Sequence, residues 1–249
     1  MPNRAALKTD ARIIIKTSKP SILFVSMLFV LLSFTINTLS ARVLYGRVTN
    51  DDLLRYTQLI QEGNFDFALQ YLGTLLPTAP ARLVDLALRL VMQIVAAGYT
   101  LFLMNSVRRT EPAVANLLDG FGFAVKLIIL SFLEGLFITL WSMLFIVPGI
   151  IASYRYRMAL YLLIDDPGKS PMQCIRESKQ FMVGHKAELF MLDLSFIGWY
   201  LLGAITFIGY GVRVCTIPYT NVTRVLYYEH LCHPEFFSAP SGADYVDFN

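Results

Sequence analysis

Leu140-Trp141-Ser142-Met143-Leu144-Phe145-Ile146-Val147-Pro148-Gly149-Ile150-Ile151 is the stretch whose reading decides the fold. It sits inside an almost wholly apolar run from Gly122 to Ile164. At about 1.5 Å per residue, one helix through that run would be roughly 64 Å long, about twice the hydrocarbon thickness of a bilayer. The run must therefore fold back on itself, and Val147-Pro148-Gly149 is its clearest interruption. Pro suits a first helical position, and Gly supplies the dihedral freedom of a tight turn. The expectation is a transmembrane hairpin, with Glu134 near the middle of its first arm and Arg155 and Arg157 early in its second.

Composition agrees with a membrane-embedded chain. Apolar residues make up 55% of the 249 and charged residues 16%, against roughly 25% charged in soluble domains; the mean hydropathy is +0.54. A net charge of +3 is too small to argue for a nucleic-acid partner. Cys174, Cys215 and Cys232 are widely spaced, form no zinc pattern and no disulfide framework, and read as small apolar residues. No cofactor is expected.

Working outward from the hairpin, a first span covers Pro20 to Ala41 behind a basic segment, 1–19, that carries Arg4, Lys8, Arg12, Lys16 and Lys19. Leu39 spoils the minus-three place of the only plausible signal cleavage site, so this span is read as retained. Residues 42–81 form an extracytoplasmic loop. In it Asn50-Asp51 can cap a short helix, and Phe65, Phe67, Leu69, Tyr71, Leu72 and Leu75 make a greasy segment too short to span, which lies on the outer surface or dips into it. Arg82–Asn105 is a second span, with Asp85 and Arg89 four apart on one face. After the hairpin comes a polar, basic stretch, 165–186, then apolar runs at Ala187–Ile208 and Val212–Tyr228.

Lys and Arg gather in the N-terminal segment and around 108–109 and 165–186 rather than in 42–81, which places both termini in the cytoplasm. The fold class is all-α: a polytopic transmembrane bundle of about six spans with two in-out-in hairpins and a short cytoplasmic amphipathic helix. A single transmembrane domain over 1–234 and a loose tail over 235–249 are expected. Phe145-Ile146-x-x-Gly149-Ile150 and Phe207-Ile208-x-x-Gly211-Val212 hint that the two hairpins repeat one another.

Charged residues inside apolar runs carry the functional interest. An ionisable group near the midplane costs about 2.5–3.5 kcal/mol on insertion scales unless protonated, paired or hydrated. Glu134, Arg155, Arg157 and Asp193 are therefore the candidate intramembrane residues, either as a structural ion-pair set or as a proton- or cation-coupled site. Lys126 and Asp193 stand where they can pair. Tyr154, Tyr156 and Tyr161 with the two arginines make a band suited to anchoring a span end. In the basic stretch, Ser170-Pro171-Met172-Gln173 reads as a capping box, Met172, Ile175 and Met182 recur at helical spacing, and Gly184 closes the helix. Arg176, Lys179, His185 and Lys186 form a candidate surface for anionic lipid head groups or a partner.

Catalytic and metal motifs are not assigned. Gly168-Lys169-Ser170 lacks the first glycine of a phosphate-binding loop, and Pro234 ends the helix on which Glu229, His230 and His233 would share a metal-binding face, with Cys232 beside them. The expected function is non-enzymatic: an accessory or regulatory protein that packs with membrane partners or with itself. The alternative is a small-solute or lipid transporter using Glu134.

The stretch quoted at the outset, continued by Tyr154 and Met158-Ala159-Leu160-Tyr161, then Gly184-His185-Lys186, Leu192-Asp193-Leu194-Ser195-Phe196-Ile197-Gly198-Trp199, Pro218-Tyr219 and Tyr227-Tyr228-Glu229, resembles a bacterial multi-pass membrane protein family named only as a domain of unknown function, number nine-seven-five. That family is similar to the membrane region attached to some glycerophosphodiester phosphodiesterases. This chain carries no such catalytic domain, so the resemblance implies a helical membrane protein of the bacterial cell membrane and no activity. The His230-Leu231-Cys232-His233 ending departs from the family's acidic ending.

Overall fold

A computed structural model of the chain describes residues 4–204 and 209–234, and every regular element among them is helical. Three stretches are long and apolar enough to cross a membrane: α2 (Ile22–Tyr45), α5 (Ala79–Arg108), and Asn116–Leu144, which joins α6 (Asn116–Asp119), a 3-10 turn (Gly120–Phe123) and α7 (Ala124–Leu144). In α7, Val125, Ile129, Phe132, Leu136, Leu140 and Met143 recur at helical spacing and all are exposed. An outward apolar stripe of this kind fits a lipid solvent and not water.

Two compact units contain these helices. One comprises 30–93; the other comprises 1–29 with 94–249, as far as they are described. In the first, the second half of α2 and the first half of α5 are tied together where the Ser40 hydroxyl donates to the Asp85 carboxylate and Ser33 donates to the Met92 sulfur. Asp85 also takes Arg89 at 2.8 Å, the pair expected from their spacing. The 42–81 segment is folded rather than a plain loop. It holds α3 (Asn50–Gln61) and α4 (Phe65–Leu75). The cap of α3 is Thr49, one residue before the expected Asn50-Asp51: its hydroxyl accepts the Asp52 N–H, and the Asp52 carboxylate takes the Thr49 N–H at 2.9 Å. Thr49 wins because Asp52 can answer it from the third helical position.

The second unit contains α1 (Arg4–Thr17), the start of α2, the rest of α5, and the helices α6 to α13. Helix α1 is not a free basic tail: Leu7 and Ala11 are buried, and the helix packs on α13 (Gly209–Cys232). Its cations lie over aromatic rings, Lys8 over Phe196 and Arg12 over Tyr219.

The apolar run folds back as expected, at a different residue. Helix α7 ends at Leu144, Phe145 is fully extended, and α8 (Ile146–Tyr156) begins at once, with Pro148 in its first turn. Pro is harmless there because first-turn N–H groups have no intrahelical partner. Gly149 has another task than turning the chain. A Cβ at Gly149 would stand 2.1 Å from Ser142 Oγ and 2.9 Å from Ser142 Cα, so glycine lets the two arms touch. The second arm is itself broken: α8 gives way at Arg157-Met158 to α9 (Ala159–Asp165).

That break is closed from outside by α10 (Pro171–Phe181). The buried Ser178 hydroxyl accepts the Met158 N–H at 3.2 Å and donates to the Arg155 carbonyl at 2.9 Å. Two backbone groups freed by the break are thereby satisfied without water. Helix α10 thus packs against α7, α8 and α9 through Cys174, Ile175 and Ser178. One face of the helix is part of the core, while Met172, Gln173, Arg176 and Gln180 remain exposed on the other. Its N-cap is Ser170 with Pro171 first, as expected, but Gln173 donates to Glu177 and does not complete the box. The next polypeptide arm is also interrupted, α11 (Lys186–Leu194) being followed by α12 (Ile197–Ala204). The Phe207-Ile208 end of the proposed repeat and the tail over 235–249 lie outside the described residues.

Candidate functional site

Asp193, near the end of α11, gathers three partners. Arg224 of α13 donates to Oδ1 from Nε at 3.0 Å and from Nη2 at 2.9 Å. Tyr154 of α8 donates to Oδ2 at 3.2 Å, and the Arg157 guanidinium stands 3.7 Å from the same oxygen. Side chains of Asp193 and Arg224 are 14% and 17% exposed, those of Arg157 41%. The Asp193–Arg224 contact therefore operates largely away from water, while Arg157 remains at a boundary. Two expectations change here. Tyr154 is not simply a span-end anchor, since its hydroxyl belongs to this network. Asp193 does not pair with Lys126, whose ammonium donates to the carbonyls of Pro167 and Gly168.

A second cluster ties α5, α9 and α13. Arg108 of α5 bonds the Glu229 carboxylate at 2.7 Å and also the Asp165 carboxylate. Tyr228 donates to Asp165 at 3.0 Å, and the His233 ring approaches the same oxygen at 3.4 Å. Glu229 is almost completely buried. Tyr161 of α9 stacks on Tyr228 with centroids 5.2 Å apart, which fixes the ring that delivers the hydroxyl. Glu229 and His233 are thus committed to Arg108 and Asp165, and no cluster of three or more metal-ligating side chains occurs among the described residues.

Glu134 is placed differently. It sits half-buried on α7 and makes neither hydrogen bond nor ion pair among the described residues; Arg157 is the cation whose field reaches it. Arg155 contributes its backbone carbonyl to the Ser178 bridge, and its side chain makes no ion pair there. Of the four sequence candidates, the structure brings together Asp193 and Arg157, sets Glu134 within reach of Arg157's charge, and leaves Arg155 apart. Arg224 was missed, although an arginine inside the apolar run 212–228 was a visible signal. In the sequence Arg108 stands only among the cations that set the topology, and nothing local reveals its two acidic partners.

The candidate basic surface is partly spent inside the molecule. Lys179 lies over the rings of Phe137 and Tyr156, at 5.8 and 5.5 Å. His185 bonds Glu188 at 2.9 Å while its carbonyl accepts the Tyr227 hydroxyl. Arg176 is exposed and Lys186 half-buried. Beside them, Lys169 holds Glu177 at 2.7 Å, which pulls the Glu177 carboxyl below and pushes the Lys169 ammonium above their ordinary ranges.

These features define an all-helical protein with three membrane-compatible helices and an internally paired set of charges. Residues 143–234 match a family described as a protein of unknown function (DUF975). The match takes in α8 to α13, hence the whole Asp193–Arg224–Arg157–Tyr154 network, and leaves out Glu134 and Arg108. No curated protein and no solved structure matches the chain.

Proposed function

We propose that this is a non-enzymatic integral membrane protein of the bacterial cell envelope, acting as an accessory or regulatory component that packs with other membrane proteins or with a second copy. The observation that carries this reading is the mutual neutralisation of its internal charges. Asp193 is matched by Arg224 and Arg157, and Arg108 by Asp165 and Glu229. Charges spent on one another hold helices in register; they do not offer a free nucleophile or base. Exposed Arg176 and the Lys186 beside it supply the cationic surface for anionic head groups or an acidic partner. In this reading the broken arms α8–α9 and α11–α12 together with α13 complete about six spans, with both termini in the cytoplasm.

Cross-linking in intact cells tests it. The expected outcome is a defined adduct, to a partner or a second copy, that Arg176→Glu with Lys186→Glu reduces. A protein that stays monomeric and adduct-free would sink the accessory reading.

One observation favours a second reading, transport of a small solute or lipid. Glu134 carries no hydrogen-bond partner among the described residues and feels the charge of Arg157, where the second arm breaks, and discontinuous helices beside ionisable groups are the usual setting of coupled transport sites. Glu134→Gln separates the two. Loss of pH-dependent flux at unchanged membrane abundance supports transport, whereas reduced abundance with no change in flux per molecule supports a structural role.

A further inference from the structure

A cleft of about 270 Å³ opens inside the 30–93 unit, its lining including the polar Arg47, Asp52, Tyr71 and Thr74 and the apolar Val43, Leu44, Leu75 and Leu76. A space of that order suits a polar head group and not a whole lipid. Its depth relative to a membrane follows from the helices that bound it. Val43 and Leu44 belong to the last turn of α2, and Ala81, also in the lining, to the first turn of α5. Both helices are long and apolar enough to cross a bilayer. The cleft therefore lies where the chain leaves the hydrocarbon and enters the head-group layer.

Its charges are arranged in a complementary pair. Arg47 makes no hydrogen bond or ion pair among the described residues, so its guanidinium is open to a phosphate. Asp52 is held ionised: the Tyr71 hydroxyl donates to one oxygen at 2.6 Å, and the Thr49 N–H and hydroxyl donate to the other. Three donors leave it lone-pair capacity for one further cation. One fixed anion and one open cation in a single small cleft match a group carrying both an amine and a phosphodiester.

An apolar surface for the tail adjoins it. Phe65, Leu69 and Leu72 stand at i, i+4 and i+7, so they form one stripe along α4, and Leu76 follows directly after the helix; all four are exposed, Phe65 by 62% and Leu69 by 66%. Leu76, the exposed residue that ends α4, is also part of the cleft lining. On α3, exposed Leu53 and Ile60 repeat the pattern seven apart. Only Ala68 is buried between these two short helices. A pair that buries so little against itself is stabilised by another apolar surface.

We propose that the α3–α4 hairpin is a membrane-interface element that seats the head group of one zwitterionic amine-bearing phospholipid, with Arg47 on the phosphate, Asp52 on the amine, and the acyl chains along Leu76, Leu72 and Leu69. This holds whichever of the two functional readings above is correct.

The test uses the full chain in mild detergent, exchanged into phosphatidylethanolamine or phosphatidylglycerol and read by native mass spectrometry for retained lipid. Wild type is expected to keep one phosphatidylethanolamine and to keep it in preference to phosphatidylglycerol. Arg47→Glu should cut that retention about tenfold or more, the scale of losing one charge-assisted hydrogen bond. Arg42→Glu, an equal change of charge at an exposed position of α2 outside the cleft lining, should leave it unaltered. Arg47→Glu breaks no hydrogen bond or ion pair among the described residues, and a matched elution profile for both variants checks that the fold survives. No retained lipid in wild type, equal loss in both variants, or no preference between the two lipids would each overturn the proposal.

Discussion

At Asp193 the cost of a charge in an apolar setting is met by one neighbour more than by any other. Two N–H groups of Arg224 converge on Oδ1, whereas Arg157, at 3.7 Å and 41% exposed, contributes a weaker, screened attraction. Asp193→Ala should therefore destabilise by about 3 kcal/mol, because it strands a mostly buried guanidinium. The double variant Asp193→Leu with Arg224→Met removes both charges and should recover most of that loss. Thermal unfolding in detergent checks both, and a double variant as unstable as the single one would show that the network does more than cancel charge. Asp193 was legible in the sequence as an acid inside an apolar run. Its partner was not, because 31 positions separate it from Arg224 and the periodicity of either helix is silent about contacts between them.

Among the elements, α3 and α10 show how local chemistry and packing divide the work. The start of α3 is set by its own residues: Thr49 and Asp52 cap each other, and Tyr71 adds the bond that does most to lower the Asp52 carboxyl, to about 2. The sign of its pH dependence follows. A carboxylate with a depressed folded value contributes stability above its ordinary pKa, near 4, and loses it as pH falls toward 2. A carboxyl NMR titration should place Asp52 near 2 in the wild type and nearer the ordinary value in Tyr71→Phe. An unchanged midpoint in that variant would mean that the cap alone sets it. Helix α10 is the opposite case. Its capping serine, its leading proline and its extent are readable from the sequence, yet its place against the α8–α9 break depends on Ser178, whose partners lie 20 and 23 positions away. Gly149 carries the same lesson: next to a proline it looks like a turn residue, but the close approach of Ser142 is what requires it.

On the scale of the molecule, exposed apolar stripes on α7 and α4 and paired charges inside invert the arrangement of a water-soluble domain. Cysteine labelling with an impermeant maleimide tests the proposed topology against the wild-type cysteine background. Glu62→Cys, between α3 and α4, should react in intact cells, and Lys186→Cys only after permeabilisation; the reverse pattern would refute a cytoplasmic 165–186 segment. By itself the sequence determined that this chain is helical, that it carries membrane-length apolar segments, and that the run from Gly122 to Ile164 doubles back. Those conclusions rest on length, hydropathy and caps, which act within a few residues. Only the tertiary structure decided which charges meet, where the second arm breaks, and that a short helix closes the break. Each of these depends on groups distant in sequence finding one another where little water is present to replace them.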